Sequence, residues 1–125
     1  MVEFCYENHI NILIVDDELD ILELVAEEFK YYGYNVNIAS SGNEAIEILK
    51  KEKFDLVISD YRMPNGNGMT ILNHIKNMTN PPIFIFVSGQ ADVSVEECLK
   101  AGAKRFISKP FNLDEIVDEL KDIEK

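Results

Sequence analysis

The chain has 125 residues and a formal net charge of −11, from 12 basic and 23 acidic side chains. Its length suits one domain and is too short for two ordinary ones, and 46% hydrophobic residues are enough to form a core. A surface this negative repels nucleic-acid phosphates and anionic lipid, so we expect no direct binding to nucleic acid or to a membrane.

The cysteines and the N-terminal residues do not suggest a secreted protein. Cys5 and Cys98 form no C-x-x-C pair, so a zinc site or a disulfide framework is poorly supported. Residues 1–9 lack the basic flank and apolar run of a signal peptide, and no stretch approaches the ~20 apolar residues that span a bilayer. We therefore expect a cytoplasmic protein in which a lead-in, 1–9, precedes one domain, 10–125.

Five short apolar runs predict β-strands along the chain. Most are rich in Ile, Val or Phe, and three are nearly continuous, as expected for strands that are covered on both faces. The second run is shorter and alternates, which favours a position at the edge of a sheet. The predicted strands are Ile10–Val15, Val36–Ala39, Phe54–Ser59, Ile83–Val87 and Arg105–Ser108.

Segments with apolar residues every three or four positions follow each strand and predict five helices. In the fourth of these, Val95, Cys98 and Leu99 follow the helical spacing, and Cys98 is interpreted as a small core residue. Gly33 and Gly102 stand where the first and fourth helices should end. Three pairs resemble an N-cap with a reciprocal acidic residue: Asp20 with Glu23, Ser41 with Glu44, and Asn112 with Glu115.

Strand and helix thus alternate five times, which leaves no segment for a second domain. Such alternation with helical crossovers implies an α/β fold, a doubly wound parallel sheet with helices on both faces. A β-sandwich would need tight hairpins between successive strands, and the sequence lacks them.

Reactive side chains follow four of the five predicted strands. Asp16 and Asp17 follow the first strand, Asp60 the third, Ser88 the fourth and Lys109 the fifth. Taken singly, such residues are usually turn, cap or surface residues. In a parallel sheet, however, the carboxyl ends of the strands meet at one rim, where ligands of open α/β folds bind. Their joint placement favours a shared site.

The chemistry of this set favours phosphoryl transfer. Three carboxylates in one pocket repel each other unless a cation joins them. Mg²⁺ suits such a site because it prefers oxygen ligands and keeps several waters, whereas Ca²⁺ usually demands more protein oxygens. Lys109 adds a compact positive charge and Ser88 a hydroxyl, and in phosphoryl transfer the protein mostly positions groups and neutralises charge.

Four motifs occur in a fixed order. They are Ile-Leu-Ile-Val-Asp16-Asp17-Glu18, Val-Ile-Ser-Asp60-Tyr-Arg-Met63-Pro64 with Gly68, Phe-Val-Ser88-Gly89, and Gly102-Ala103 leading to Phe106-Ile-Ser-Lys109-Pro110-Phe111. From about Ile10 onward, the chain resembles a receiver domain of the response regulators of two-component signalling. The resemblance implies a flavodoxin-like, five-stranded parallel sheet of order 2-1-3-4-5, and a signalling phosphoacceptor rather than an enzyme.

The resemblance also implies a role for each site residue. Asp60 is the phosphoacceptor and takes its phosphoryl group from a sensor histidine kinase or a phosphotransfer protein. Asp16 and Asp17 hold Mg²⁺ together with Asp60, and the backbone carbonyl of Arg62 completes the protein ligands. Ser88 hydrogen-bonds one phosphoryl oxygen and Lys109 pairs with another.

Receiver domains further imply a switch, here between Ser88 and Phe106. When Ser88 moves toward the phosphoryl group, Phe106 turns inward and remodels the face of the fourth helix, fifth strand and fifth helix for a downstream protein target. Phe106 lacks the hydroxyl of a tyrosine, so its switching would depend on burial alone. Lys104 and Arg105 stand where dimerising receivers often have acidic residues, which argues against that dimer and suggests a basic patch.

Residues near the phosphoacceptor also suggest how long the phosphoryl group lasts and how mobile the nearby loop is. By analogy with other receivers, Arg62 and Gln90 would tune how fast water removes the phosphoryl group. The loop 64–68 contains an additional glycine, which we expect to make it more mobile.

The sequence favours four alternative functions less than that of a receiver domain. A phosphorylation-independent interaction module on the same fold is excluded by no residue. A Mg²⁺-dependent phosphatase of the haloacid-dehalogenase type normally has Asp-x-Asp after its first strand, whereas here Asp16 and Asp17 are adjacent. In an FMN protein, these acids would repel the phosphate. A serine hydrolase lacks its G-x-S-x-G motif, and His9 and His74 are badly placed for one.

Overall fold

The computed structural model describes residues 10–61, 63, 66–89, 94–108, 115, 116 and 118. Its elements are β1 (Asn11–Val15), α1 (Leu19–Tyr31), β2 (Asn35–Ala39), α2 (Gly42–Lys51), β3 (Leu56–Asp60), α3 (Gly68–Ile75), β4 (Ile83–Ser88), α4 (Val95–Lys100) and β5 (Arg105–Ser108). Glu115, Ile116 and Asp118 are also helical. All five predicted strands are confirmed, with ends that shift by no more than about two residues.

The five strands form one parallel sheet of order β2-β1-β3-β4-β5. The predicted doubly wound fold and its strand order are therefore confirmed. β2 lies at an edge, as its alternating pattern suggested, whereas all five residues of β3 are buried. The chain leaves β1 for β2 on one side and returns to β3 on the other, so the strand order reverses beside β1. Ligands of such folds bind at this reversal.

The core has two parts, one on each face of the sheet. On one face, Ile12, Ile58 and Ile85 pack with Phe29 of α1. On the other face, a second set of strand residues packs with α2, α3 and α4. Each fully buried large apolar side chain stabilises the fold by about 1.5–3 kcal/mol. The two layers therefore hold the sheet, and with it the ends of its strands, in a fixed position.

The fourth helix is less buried than its apolar spacing suggested. Cys98 is 1% exposed, which confirms it as a core residue. Val95 and Leu99 are each 44% exposed, so the expected apolar face of α4 reaches the core mainly through Cys98. The reason is geometric, since α4 has only 6 residues and turns one narrow stripe toward the sheet.

Helix ends follow the sequence signals in part. Gly33 and Gly102, with φ of 95° and 119°, end the first and fourth helices as predicted. The Asp20 prediction is wrong, because α1 begins at Leu19 and Asp20 lies within its first turn, where its charge still complements the helix dipole. The Asn112 prediction lies outside the described residues. Two further caps were missed: Asn67 accepts from the Thr70 N–H and Ser94 accepts from the Glu97 N–H.

The second helix has the cap that the sequence predicted, with one change. The Ser41 Oγ accepts a hydrogen bond from the Glu44 N–H at 3.1 Å. The Glu44 carboxylate bonds back to the backbone N–H and the hydroxyl of Ser40, at 2.6 and 3.0 Å, rather than to Ser41 itself. Both sides of the cap are therefore formed.

The described helices are all too short for a bilayer. The longest with defined bounds, α1, has 13 residues, and none of the described helices is apolar and long enough to cross a membrane.

Candidate metal and phosphoryl site

The acidic turn after β1 is held by its own backbone. Asp16 is 5% exposed, and its N–H donates to the Ala39 carbonyl at 3.2 Å, which extends the β1–β2 ladder by one residue. Its carboxylate oxygen Oδ1 accepts from the Glu18 N–H at 3.0 Å. These bonds fix the direction of the Asp16 side chain, while Asp17 next to it is exposed to solvent.

Asp60 is the last residue of β3, the central strand of the sheet. It pairs with Val87 of β4 and is 8% exposed. The Tyr61 N–H donates to the Val87 carbonyl at 3.2 Å, so the parallel ladder continues one residue past Asp60. The Ser59 hydroxyl donates to the Asp60 carbonyl at 2.8 Å. Asp60 therefore has little backbone freedom.

The structure brings three predicted acids together at the rim. One carboxylate oxygen from each of Asp16, Asp17 and Asp60 lies within 4.8 Å of the others. Two unit charges about 5 Å apart repel by about 3 kcal/mol at an effective dielectric constant near 20. A hard divalent cation removes this repulsion, and an all-oxygen donor set with one solvent-facing member matches the preference of Mg²⁺ for carboxylates plus water. The residues present therefore fit a magnesium ion.

The predicted hydroxyl group lies at the same rim. Ser88 ends β4, one residue beyond the partner of Asp60 in the sheet, and is 2% exposed. Ser88 therefore lies on the strand next to β3, which carries Asp60, and two strands away from β1, which Asp16 and Asp17 follow. Lys109, Arg62 and Gln90 lie outside the described residues.

Aromatic rings connect the end of β3 with the predicted switch residue. Phe106 is half-buried, and its ring centroid lies 6.3 Å from that of Phe86, which in turn lies 5.3 Å from Tyr61. No role for Tyr61 or Phe86 was predicted from the sequence. The period of two in β4 could have found Phe86, because that period puts Phe84, Phe86 and Ser88 on one face of the strand.

The start of α3 packs directly against this group. A Cβ atom at residue 68 would lie 2.6 Å from the Phe86 ring and 2.7 Å from the Asp60 carbonyl oxygen. Only glycine permits this approach, which gives Gly68 of the sequence motif a physical reason. The Gly68 N–H also donates to the Tyr61 carbonyl at 2.9 Å and so closes the loop after β3.

The expected basic patch on β5 is divided between two roles. Lys104 is exposed, whereas Arg105 is half-buried and its Nη1 donates to the Glu115 carbonyl at 2.9 Å. Arg105 thereby joins β5 to the last helical residues that the structure describes.

Comparison with known proteins agrees with this geometry. The family model described as "Response regulator receiver domain" matches residues 12–121. The transcriptional regulatory protein ZraR of Escherichia coli K12 is 34% identical over 111 residues, which are 87% of this chain and 25% of ZraR. The chain thus spans about a quarter of the length of the curated relatives that it matches first.

Two solved structures are similar over nearly the whole chain. TrrA from Thermotoga maritima, in complex with Mg²⁺-BeF, is 31% identical with a TM-score of 0.80, and the match covers 91% of this chain and 98% of TrrA. A response regulator receiver domain protein from Clostridium thermocellum is 30% identical with a TM-score of 0.83, and the match covers 90% and 92% of the two chains. The chain belongs to the response regulator receiver domain family of two-component signalling.

Proposed function

We propose that Asp60 accepts a phosphoryl group from the phosphohistidine of a sensor histidine kinase or a phosphotransfer protein. One observation carries the proposal: Asp16, Asp17 and Asp60 converge at the rim of a receiver fold, with one oxygen of each within 4.8 Å of the others. The three carboxylates repel one another, so the arrangement is unfavourable unless a bound cation offsets that repulsion. We assign Mg²⁺ to the three carboxylates and to the backbone carbonyl of Arg62.

The chemistry is an in-line displacement at phosphorus. A carboxylate oxygen of Asp60 attacks, the P–N bond to the histidine breaks, and the imidazole nitrogen keeps the electron pair and gains a proton. When bound, Mg²⁺ supplies positive charge that neutralises the carboxylates and the phosphoryl oxygens. The Ser88 hydroxyl donates to one phosphoryl oxygen and the Lys109 ammonium pairs with another. The protein orients groups and balances charge, without turning over an external substrate.

The switch is proposed to follow from the charge and oxygens that the phosphoryl group adds. Ser88 is buried at the end of β4, and we propose that the end of β4 shifts when the Ser88 hydroxyl donates to a phosphoryl oxygen. Phe106 is half-buried on the neighbouring strand and packs against Phe86 of β4, so a shift of β4 changes the space open to Phe106. Phosphorylation moves this equilibrium only by the difference in contacts between the two states.

The partners follow from the same chemistry. We propose a protein target for the face of α4 and β5, and neither direct nucleic-acid binding nor membrane binding, given the net charge of −11. Phosphohistidine donors are formed with ATP, so we propose a cytoplasmic protein. We keep 1–9 as the proposed lead-in and 10–125 as the proposed receiver domain.

The decisive experiment is phosphorylation by a small-molecule donor. Wild-type protein is incubated with Mg²⁺ and acetyl phosphate and its intact mass is measured, with and without EDTA. We expect a gain of one phosphoryl group that needs Mg²⁺ and disappears in Asp60→Asn. The matched control is Asp55→Asn, since Asp55 directly precedes β3, at the end of the strand opposite Asp60, where its Oδ2 accepts from the Asn11 N–H at 2.8 Å.

Two outcomes would contradict the proposal. Wild-type protein that gains no phosphoryl group would favour an interaction module that works without phosphorylation. An equal gain in Asp60→Asn would assign the acceptor to another residue. Continuous hydrolysis of an added phosphate ester would instead indicate a phosphatase.

A further inference from the structure

The turn between β2 and α2, residues 39–42, contacts both the acidic turn after β1 and the loop that follows Asp60. The second predicted strand was the only one of the five without a reactive side chain after it, so no role was predicted for this turn. We call residues 39–42 the bridging turn.

The first contact is with the acidic turn after β1. The Ala39 carbonyl accepts the N–H of Asp16 at 3.2 Å, directly beyond the paired residues Val15 and Ala39. The position of the Asp16 backbone, and therefore of its carboxylate, depends on where the bridging turn begins.

The second contact is with the loop after Asp60. The Gly42 N–H donates to the Gly66 carbonyl at 2.9 Å. A Cβ atom at residue 42 would lie 2.6 Å from the Gly66 carbonyl carbon and 3.0 Å from its Cα. Gly66 itself has a φ of +99°, which residues with a side chain rarely adopt. A Cβ atom at residue 66 would lie 3.1 Å from the backbone nitrogen of Asn43. Two backbones touch here, and each needs a glycine.

This contact changes the interpretation of the additional glycine in loop 64–68. Gly66 is hydrogen-bonded to the start of α2, and the same loop is closed at its ends by the bond from Gly68 to Tyr61. Residue 62, the proposed source of the metal-binding carbonyl, falls in the sequence between Tyr61 and Gly68, the two residues that this bond joins.

The bridging turn has a fixed shape of its own. Ser41 caps α2 through the Glu44 N–H, and the Glu44 carboxylate holds the Ser40 N–H and hydroxyl. The Ala45 N–H bonds to the Ser41 carbonyl at 3.0 Å, which begins the helical ladder. These bonds tie the bridging turn to the first turn of α2.

We propose that the bridging turn, through Gly42, positions the acidic turn after β1 and the loop after Asp60 relative to one another and so sets the affinity of the site for Mg²⁺. Gly42 is a positioning residue, since it touches neither the carboxylates nor the phosphoryl group. The inference rests on the proposed function for its metal. Groups that orient metal ligands typically change metal affinity by about 10- to 100-fold when they are altered.

The test compares two glycine-to-alanine variants. Gly42→Ala forces a Cβ into the Gly66 backbone, and Gly33→Ala places a Cβ at a residue with a φ of 95°, at the end of α1 far from the rim. Mg²⁺ alone is titrated into each metal-free protein by calorimetry, and the melting temperature is measured in EDTA. We expect the Mg²⁺ dissociation constant to rise about tenfold in Gly42→Ala and to stay within about twofold of wild type in Gly33→Ala.

A kinetic measurement distinguishes positioning from general damage. The rate of phosphorylation by acetyl phosphate is followed against Mg²⁺ concentration. We expect Gly42→Ala to need about tenfold more Mg²⁺ for half its maximal rate and to recover most of that rate at saturation. A loss of maximal rate with an unchanged Mg²⁺ requirement would overturn the inference.

A second variant decides the matter if Gly42→Ala does not fold. Glu44→Ala removes the acceptor for Ser40 without adding an atom, and we expect it to weaken Mg²⁺ binding by a factor of about three or more. An unchanged dissociation constant in the folded variants, or an equal loss in Gly33→Ala, would overturn the inference. Wild-type protein that binds no Mg²⁺ and gains no phosphoryl group would instead contradict the proposed function.

Discussion

The two ends of the sheet differ in what they bury. At the carboxyl ends of the strands lie all the buried polar side chains among the described residues: Asp16, Ser59, Asp60 and Ser88. At the opposite end lie apolar residues such as Ile10, Tyr34 and Phe54. An acid occurs there too, and its carboxylate, that of Asp55, accepts the Asn11 N–H. At the rim Asp16 likewise accepts a backbone N–H, but one of its carboxylate oxygens also lies within 4.8 Å of one from Asp17 and one from Asp60.

This difference separates stability from function within one small domain. Burial of apolar surface stabilises the fold at one end, while burial of like charges at the other end lowers the free energy of unfolding. The apolar end can then hold the strands firmly enough for the rim to keep an unfavourable group of carboxylates. Four predictions test this interpretation, from the largest expected effect to the smallest.

The largest effect is expected at the apolar end. Phe29 is 0% exposed and packs edge-on against Tyr34 with ring centroids 6.1 Å apart. Phe29→Ala should lower the free energy of unfolding by about 3–5 kcal/mol, measured by urea denaturation, because it leaves a cavity. The control is Tyr31→Ala on the same helix, where the side chain is 84% exposed and the change should be within about 0.5 kcal/mol. Equal losses would contradict the assigned core.

Removal of one charge at the rim should change the free energy of unfolding in the opposite direction, by raising it. In EDTA, Asp60→Asn should raise the free energy of unfolding by about 1 kcal/mol, because it removes part of the repulsion among the acids. With Mg²⁺ at about ten times its dissociation constant, wild-type protein should gain about 1.4 kcal/mol, and the variant should gain little. A variant that is less stable than wild type in EDTA would break the comparison.

The caps of two helices should separate stability from metal binding. Ser41 and Ser94 each accept a hydrogen bond from the N–H three residues later, at 3.1 and 3.2 Å, so each substitution by alanine should cost about 1 kcal/mol of unfolding free energy. Only Ser41 belongs to the bridging turn. Calorimetric titration should therefore give weaker Mg²⁺ binding in Ser41→Ala and unchanged binding in Ser94→Ala. Equal Mg²⁺ affinities in the two variants would count against the bridging turn.

The smallest effect is expected at Cys98, a buried titratable group on α4. Burial raises the pKa of its thiol above the ordinary value of 9.0, and the negative charge of Glu97 raises it further. The folded state then holds its proton more tightly than the unfolded state, so this contribution to stability is complete below about pH 9 and is lost as the pH rises. The free energy of unfolding is therefore measured by urea denaturation from about pH 7 to about pH 10, a range that includes the ordinary pKa of a thiol. The difference in this free energy between wild type and Cys98→Ala should shrink at alkaline pH. A constant difference would contradict the assignment.

Several features could be predicted from local patterns because their causes are local. The apolar runs predicted all five strands, and their alternation with helical segments predicted the parallel sheet. Ser41, Gly33 and Gly102 were also recognised, since caps and helix ends depend on a few neighbouring residues. The prediction that Asp20 caps the first helix was wrong, although it also used only neighbouring residues. The turn in which the Asp16 carboxylate accepts the Glu18 N–H precedes the helix, which therefore begins at Leu19.

Contacts between distant segments could not be read in this way. The bond from Gly42 to Gly66 and the packing of Phe86 between Tyr61 and Phe106 join residues that lie far apart in the chain. The spacing of apolar residues along the chain does not indicate which distant residues are in contact. The same holds for the exposure of Val95 and Leu99, which depends on how closely α4 approaches the sheet.

The amino-acid sequence by itself determined the alternation of strands and helices and the identity of the acids that follow β1 and β3, because hydrophobic period and strand-end position are properties of short segments. Only the tertiary structure decided how near those acids lie to one another and which turn holds them there. Such distances depend on the register between strands and on backbone contacts across the rim, and these exist only once the sheet has formed.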